Sequence, residues 1–299
     1  MRLPQLLEDP TNIDFDQVKQ MVDTFLDVRF NYFDTSFVYH NGHSENAIKK
    51  YLVERHPHDC YMLASKLPVF SIQKEEVVQI FNQQLENCGV EYFDYFLLHN
   101  MNIHHYNSVV KSCKMFEHMQ EWKKARKIKY IAISFHDSAD VLDLILSEHP
   151  EIEAVQIALN YYDWNSEFIQ VKACFEVIRK YQKQVIIMEP VKGDMLANPP
   201  KNSNLTADAS LALRFCGELD GVLAILSGMS NLTQVKQNIE SMKDFQPLSN
   251  EEKAYIEKLT VAYKQGGPLG NIDFNQYKDV KPHGISLASL LETYNSCMI

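Results

Sequence analysis

The chain has 299 residues, of which 45% are hydrophobic, and its formal net charge is −10 at pH 7. This length and composition suffice for a large buried core in one domain or two. The acidic balance is the opposite of the basic surface that nucleic-acid binding and docking on anionic membranes usually require. No apolar run approaches the roughly 20 residues of a membrane-spanning helix. We therefore expect neither a nucleic acid nor a membrane as a partner.

The cysteines and the N-terminus bear on the cellular compartment. Six cysteines are scattered along the chain without a CxxC pair, and Met1–Pro4 is not followed by the apolar stretch of a secretory signal. Cysteines in such a chain are typical of reduced, packed thiols. These features predict a cytoplasmic protein, and nothing in the sequence indicates its oligomeric state.

The first predicted element is a helix over residues 15–28, where apolar side chains recur at helical spacing. Seven short runs rich in β-branched and aromatic residues follow it. They predict strands at Phe30–Phe33, Tyr61–Ser65, Phe93–Leu98, Tyr130–Ser134, Ala154–Leu159, Val185–Met188 and Val222–Leu226. Segments of helical period separate the strands, and the repeat of about 32 residues is the length of a βα unit.

Regular alternation of strands and helices, with no Pro/Gly/Ser-rich linker, predicts one parallel sheet with crossover helices. No GxGxxG turn follows any strand, so a TIM-type (β/α) barrel is favoured over an open doubly wound sheet. We assign residues 1–264 to the barrel. Residues 265–299 form a C-terminal extension in which Ser286–Tyr294 looks helical.

The number of strands is one short of a complete barrel. An eight-stranded barrel needs a strand before the first helix, but Pro4 and Pro10 remove backbone donors there and residues 6–9 lack β-branched alternation. We therefore expect seven parallel strands, no barrel strand in residues 1–10, and a gap beside the Phe30–Phe33 strand. Either the barrel begins with a strand that the sequence does not reveal, or the chain starts just after the position of a first strand, which is the interpretation we favour. The C-terminal extension would then partly cover the opening.

Three titratable side chains end three consecutive predicted strands, namely Asp34, Lys66 and His99. Each alone has an ordinary explanation, as a turn cap, a solvated lysine or a core imidazole. Parallel barrels carry their chemistry at the C-terminal ends of the strands, so the three together favour a functional site. Tyr39 follows on the same loop as Asp34.

These four residue types suit one kind of chemistry. A carboxylate would hold the ammonium, the ammonium would lower the pKa of the phenol, and a neutral imidazole would orient a carbonyl oxygen. The set suits proton donation to an oxygen that is becoming an alkoxide. No side chain supplies hydride, so a cofactor must provide it.

The sequence around these residues resembles the aldo/keto reductase family. Residues 34–45 match the motif DxxxxYxxGxSE, Ala-Ser-Lys at 64–66 resembles the lysine strand end, and residues 89–99 resemble GVDYxDxxLLH. The resemblance spans about residues 1–260. It implies a TIM-type barrel, NADPH or NADH as cofactor, and a small carbonyl or alcohol as substrate. It also implies Tyr39 as the general acid, His99 as the carbonyl orienter, and Lys66 with Asp34 tuning the tyrosine.

The same resemblance implies a set of cofactor-binding residues. They are Ser134 and Gln156 at the nicotinamide carboxamide, Met188 beside the ring, and Gly228, Ser230, Gln234 and Asn238 in the segment that binds the adenosine phosphates. A predicted helix N-terminus in this last segment is a natural anion site.

Three positions depart from the family pattern. Phe135 stands where an asparagine usually follows the serine, and Met188 stands where many members have a stacking aromatic ring. Gln234 replaces an arginine that would clamp a 2′-phosphate, so the preference between NADP and NAD stays open.

Residues 188–193 and 228–231 resemble bacterial members that carry a C-terminal iron–sulfur domain. In those members a Met-Arg pair follows the first barrel strand, and Met1-Arg2 matches it. An iron–sulfur cluster needs grouped cysteines. Cys297 is the only cysteine after Cys216, so we predict no cluster in this chain.

The sequence also bears on two alternatives to a reductase. A non-catalytic nucleotide-binding or scaffold protein on the same barrel is favoured by the missing strand, which would cost stability and one wall of the cofactor site. A metal site at His104 and His105, with His99 and His136, is disfavoured. Adjacent side chains lie on opposite sides of a strand, or about 100° apart on a helix, so they do not face one ion well. We predict no metal.

Overall fold

The computed structural model describes residues 2–6, 12–266, 274–277, 279–281 and 284–297. Seven strands in these ranges pair in chain order, each parallel to the next. They are β1 (Tyr32–Asp34), β2 (Met62–Pro68), β3 (Phe93–Met101), β4 (Ile128–Phe135), β5 (Ala154–Ala158), β6 (Gln184–Met188) and β7 (Val222–Leu226). The nearly closed TIM-type barrel predicted from the sequence is confirmed.

Helices alternate with the strands and surround them. They are α1 (Phe15–Asp27), α2 (Ser44–Ile48), α3 (Val77–Cys88), α4 (Ile103–His105), α5 (Met115–Lys124), α6 (Ala139–Glu148), α7 (Val171–Lys180), α8 (Ala209–Gly217), α9 (Leu232–Met242), α10 (Asn250–Gly266) and α11 (Leu287–Cys297). Single helical turns lie at Tyr39–Gly42, Lys49–Val53, His58–Cys60, Lys74–Glu76, Tyr106–Val110, Met195–Ala197 and Phe274–Tyr277. No helix in the described ranges is long and apolar enough to cross a membrane.

Helix α1 forms where the periodicity predicts it. Asp14 caps its N-terminus by accepting a hydrogen bond from the backbone N–H of Gln17, and the side chains of Val18, Met21 and Val22 are buried. The helix turns this apolar stripe toward the barrel, directly before β1.

A gap separates β1 from β7, since the described residues include no strand that pairs with the outer edge of either. Every residue of β7 is apolar yet partly exposed, whereas β2 is almost wholly buried. Gln5 makes an isolated antiparallel bridge to Ile13, so the described part of residues 1–10 forms no barrel strand, as expected. The remainder of that stretch, at residues 1 and 7–10, lies outside the described residues.

Helices α1 and α9 cover the outer side of the gap. Met21 of α1 packs with Val235 and Ile239 of α9 in one buried cluster. The expected helix at Ser286–Tyr294 is present as α11, which packs against the turn at Phe274–Tyr277. No described residue of the extension lines the cavity at the gap, so its expected role as a cover is not seen in this part of the chain.

Candidate active site

Lys66 lies inside β2 with a fully buried side chain, and its ammonium has three oxygen acceptors. It donates to Asp34 Oδ1 at 2.5 Å, to the backbone oxygen of Thr35 at 2.9 Å and to the hydroxyl of Tyr39 at 3.3 Å. A buried charge is tolerated only when it is paired and hydrogen-bonded in this way. The structure therefore brings three of the four predicted catalytic residues into direct contact.

The charges in this cluster follow from burial and pairing. Burial acts to lower the pKa of Lys66, but the negative charge of Asp34 and the hydroxyl of Tyr39 outweigh it, so the pKa is raised. Burial raises the pKa of Tyr39, Lys66 opposes this, and Asp34 adds to it; the net direction is upward. The sequence-based expectation of a lowered phenol pKa is therefore wrong in net direction, because burial outweighs the lysine.

The consequence is a fixed protonation state. Near neutral pH, Lys66 carries its charge and Tyr39 keeps its proton, since both pKa values are raised. Tyr39 is thus a protonated phenol that can act as an acid, and the adjacent ammonium would stabilise the phenolate that proton donation leaves.

His99 completes the cluster from β3. Its Nδ1 lies 3.1 Å from the hydroxyl of Ser36, and its ring meets the ring of Tyr39 edge-on at 5.7 Å between centroids. Burial, followed by the positive charge of Lys66, lowers the pKa of His99 to about 3. The imidazole is therefore neutral, as the sequence argument requires of a group that orients a carbonyl oxygen.

A buried network behind β2 was missed by the sequence argument. Glu45 is fully buried, and its carboxylate accepts hydrogen bonds from Ser65 Oγ at 2.7 Å, Gln84 Nε2 at 2.9 Å and Asn87 Nδ2 at 3.1 Å. Gln84 also donates to the backbone oxygen of Lys66 at 3.0 Å. These bonds fix the β2 backbone at the lysine. Glu45 ends the DxxxxYxxGxSE motif, so it had a sequence signal, whereas Gln84 had none.

A cavity of about 370 Å³ opens beside the cluster and extends into the gap between β1 and β7. Five of the residues predicted from the sequence line it: Asp34, Tyr39, Gln156, Met188 and Gly228. Its strand walls are lined by Tyr32 and Phe33 of β1 and by Ile225 and Leu226 of β7, and α1 closes its outer side. The cavity therefore joins the catalytic cluster to the loop that follows β7.

Gln156 and Ser134 are neighbours on adjacent strands, both almost fully buried. Gln156 Nε2 lies 3.4 Å from Asp34 Oδ2, while its Oε1 is buried without a partner among the described residues. Ser134 Oγ lies 3.2 Å from Nε2 of His136. Buried acceptors are normally satisfied, so Gln156 Oε1 can still accept a hydrogen bond from a molecule bound in the cavity.

The loop between β7 and α9 is held in place by hydrogen bonds to side chains of the loop and of α9. Gln234 Oε1 accepts from the backbone N–H of Ser230 at 2.6 Å, and Asn231 caps α9 by accepting from the N–H of Gln234 at 2.9 Å. Asn238 donates to Ser227 Oγ at 2.9 Å. Ser230, Gln234 and Asn238 thus lie next to the cavity's loop wall, where they hold the loop's shape.

Of the histidines considered as metal ligands, His105 is hydrogen-bonded through Nδ1 to the backbone oxygen of Asn100 at 2.8 Å. The part of the chain that the structure describes contains no group of three or more His, Cys, Asp or Glu side chains suited to an ion.

The family model described as the aldo/keto reductase family matches residues 5–209. The fold is similar to an aldo-keto reductase from Bacillus halodurans in its holo form, with a TM-score of 0.67 and 21% identity over 86% of this chain and 91% of that one. It is also similar to an aldo/keto reductase from Klebsiella pneumoniae in complex with NADP and acetate, with a TM-score of 0.69 and 18% identity over 86% and 90%. No curated protein matched the sequence. Because the family model covers more than half of the chain, this protein belongs to the aldo/keto reductase family.

Proposed function

We propose that this protein reduces an aldehyde or ketone with a nicotinamide dinucleotide, using Tyr39 as the general acid. The observation that carries the proposal is the hydrogen-bonded trio of Lys66, Asp34 and Tyr39 beside the neutral His99. If Lys66 had only a structural role, an ion pair with Asp34 would be enough to compensate its charge. A phenol that keeps its proton beside a buried ammonium, at the wall of a cavity, is what carbonyl reduction needs.

The roles of the chain's own residues follow from the contacts. His99 donates a hydrogen bond to the substrate oxygen and orients the carbonyl. Tyr39 transfers its hydroxyl proton to that oxygen as the oxygen becomes an alkoxide, and the charge of Lys66 stabilises the phenolate left behind. Asp34 holds the ammonium in place through Oδ1.

The residues present fit a nicotinamide cofactor. The unpartnered Oε1 of Gln156 is the acceptor that a primary carboxamide would satisfy, and Ser134 lies beside it. The cofactor would supply hydride to the carbonyl carbon. The Klebsiella pneumoniae relative was solved with NADP. Gln234 is uncharged, so we propose use of a nicotinamide dinucleotide without a stated preference between NADP and NAD.

We further propose a cytoplasmic location. All five cysteines whose side chains the structure describes are free thiols, which agrees with a reducing compartment.

A titration followed by a turnover assay tests the function. NADPH and NADH are titrated separately into the protein and binding is followed by fluorescence; we expect saturable binding of at least one. Oxidation of the dinucleotide that binds is then measured in the presence of each of a panel of aldehydes and ketones, and we expect turnover with some of them. Binding without any turnover would favour the scaffold alternative, which the gap between β1 and β7 supports. A wild-type protein that binds neither dinucleotide would contradict the proposal.

A further inference from the structure

Arg2 is held at the rim of the cavity by the segment that carries it. The next residue, Leu3, is buried, and its backbone N–H donates to His40 Nε2 at 3.1 Å. The N–H of Asp14 donates to the backbone oxygen of Pro4 at 2.9 Å. Residues 2–4 are thus anchored to the loop after β1 and to the start of α1, which fixes the backbone position of Arg2.

The side chain of Arg2 crosses the loop that follows β7. A methyl group at Gly228 would lie only 3.0 Å from Cδ of Arg2 and 3.3 Å from its Nε. The absence of a side chain at residue 228 therefore lets the arginine stem lie against the loop backbone. The guanidinium reaches toward Glu189, one residue after β6, with Nη2 3.9 Å from Oε1.

The ion pair with Glu189 does not fully engage Arg2. Both side chains are about half exposed, 54% for Arg2 and 50% for Glu189, and the distance is near the upper limit for a salt bridge. Exposed pairs of this kind contribute little and exchange readily for a better anion. The other carboxylate oxygen of Glu189 is engaged, since it accepts from the N–H of Gly193 at 2.7 Å.

Arg2 is also the basic side chain that the cavity offers to an anion. Among the described residues that line the cavity, the charged ones are Arg2, Asp34 and Glu189, and Asp34 is paired with Lys66. The loop's N–H groups at Ser230 and Gln234 are occupied by the loop's own side chains. A ligand with negative charge therefore meets one cation at the cavity wall, and a guanidinium can grip phosphate oxygens with two hydrogen bonds.

We propose that Arg2 binds the pyrophosphate of the dinucleotide and that Glu189 holds the guanidinium when no dinucleotide is bound. This inference rests on the proposed function. Arg2 lies between Glu189, which follows Met188 at the predicted nicotinamide site, and Gly228, which belongs to the predicted adenosine-phosphate segment. The pyrophosphate follows the nicotinamide riboside in both cofactors, whereas the 2′-phosphate lies at the far adenosine end and occurs only in NADP.

Binding of NADH and NADPH to Arg2→Ala and Arg2→Lys tests the assignment, with the full chain and dissociation constants from fluorescence titration. We expect Arg2→Ala to weaken both dinucleotides about tenfold or more, to a similar extent, and Arg2→Lys to weaken them less. Arg126→Ala is the matched control. It removes the same charge at an exposed position before β4, at the opposite end of the barrel, and should leave both constants unchanged.

A second variant probes the partner carboxylate. Glu189→Gln keeps an acceptor for the N–H of Gly193 and removes the charge that competes for Arg2. We expect tighter binding of both dinucleotides, and a smaller gain in the Arg2→Ala background, where no guanidinium remains to be released. An equal gain in both backgrounds would contradict the role of Glu189.

The outcomes separate the two proposals. Wild-type binding that Arg2→Ala leaves intact would overturn the assignment of Arg2 alone. Loss confined to NADPH would also overturn it, because the cation would then serve the 2′-phosphate. A wild-type protein that binds neither dinucleotide would overturn both this inference and the proposed function.

Discussion

Replacing Tyr39 with Phe removes the proposed proton donor while leaving the packing of the aromatic ring in place. The change removes one oxygen, whose contact is with Lys66 Nζ at 3.3 Å. The ammonium keeps its bonds to Asp34 and to the backbone oxygen of Thr35, and it still lies 4.7 Å from the centroid of the ring. The loss of one such hydrogen bond costs about 1 kcal/mol of folding free energy. The variant should therefore remain folded.

The expected effect on catalysis is much larger. A general acid contributes roughly 10² to 10⁴ in rate, which corresponds to about 3–5 kcal/mol in the activation barrier. Tyr39 is expected to give its proton in the transition state without anchoring the dinucleotide, so turnover should fall while cofactor affinity stays nearly unchanged. The measurement is cofactor oxidation with a carbonyl that the wild-type protein reduces, together with a cofactor titration.

Tyr51→Phe is the matched control for this experiment. It also removes one phenolic hydroxyl, which is buried with no hydrogen-bond partner among the described residues, but Tyr51 does not line the cavity. Its turnover should stay close to that of the wild type. Retention of more than about a tenth of the rate by Tyr39→Phe would refute the assignment, since a general acid is worth more than that.

Three further changes have defined outcomes. Lys66→Met should be comparably damaging to turnover and should shift the pH optimum of any residual activity, because the phenol loses its adjacent charge; an unchanged pH–rate profile would argue against this role. The pKa of His99 is about 3 when folded, below the ordinary value of about 6.5, so the unfolded chain binds the extra proton at intermediate pH. The contribution of His99 to stability is therefore complete above about pH 6.5 and is lost toward pH 3. Urea unfolding should show a smaller loss of stability in acid for His99→Asn than for the wild type or the exposed control His104→Asn. Glu45→Ala should lower the free energy of unfolding by about 1–3 kcal/mol, because it leaves the buried hydroxyl of Ser65 without its acceptor and removes one acceptor each from Gln84 and Asn87. Glu45→Gln should cost less, and equal chemical denaturation curves would contradict this.

The strand pattern was predictable because each strand is an apolar run between turn residues. Strand β7 was predicted at its observed bounds, and Ala154–Leu159 is one residue longer than β5. The ends of β2 and β3 were not predictable. Both strands continue two residues past Lys66 and His99, because Pro68 still pairs with His99 and Met101 still pairs with Phe135. Pairing partners decide where a strand ends, and they lie outside the local sequence.

That the candidate catalytic residues lie together was predictable from their shared place near strand ends, but their electrostatics were not. The sign of the Tyr39 pKa shift depends on how deeply the folded chain buries the phenol, which no local motif encodes. The support of Glu45 by Gln84 joins residues 39 positions apart and passes through a side chain with no motif of its own. Such long-range partners are set by packing and become visible only in the folded structure.

The two parts of the candidate site depend to different extents on the gap between β1 and β7. Asp34, Lys66 and His99 lie on three strands that pair in continuous register, and the buried network at Glu45 supports the middle strand. The residues that we propose transfer the proton are therefore supported by β2 and β3, on the side of β1 that faces away from the gap.

The part of the site that we propose binds the cofactor depends on contacts that cross the gap. Gln17 of α1 accepts a hydrogen bond from the N–H of Leu232 at the start of α9, at 3.0 Å, and Arg2 crosses to the loop at Gly228. These contacts take the place of strand pairing between the first and last strands of the described sheet. Changes that weaken them should act first on dinucleotide affinity, because the acid, its lysine and its histidine keep their own supports.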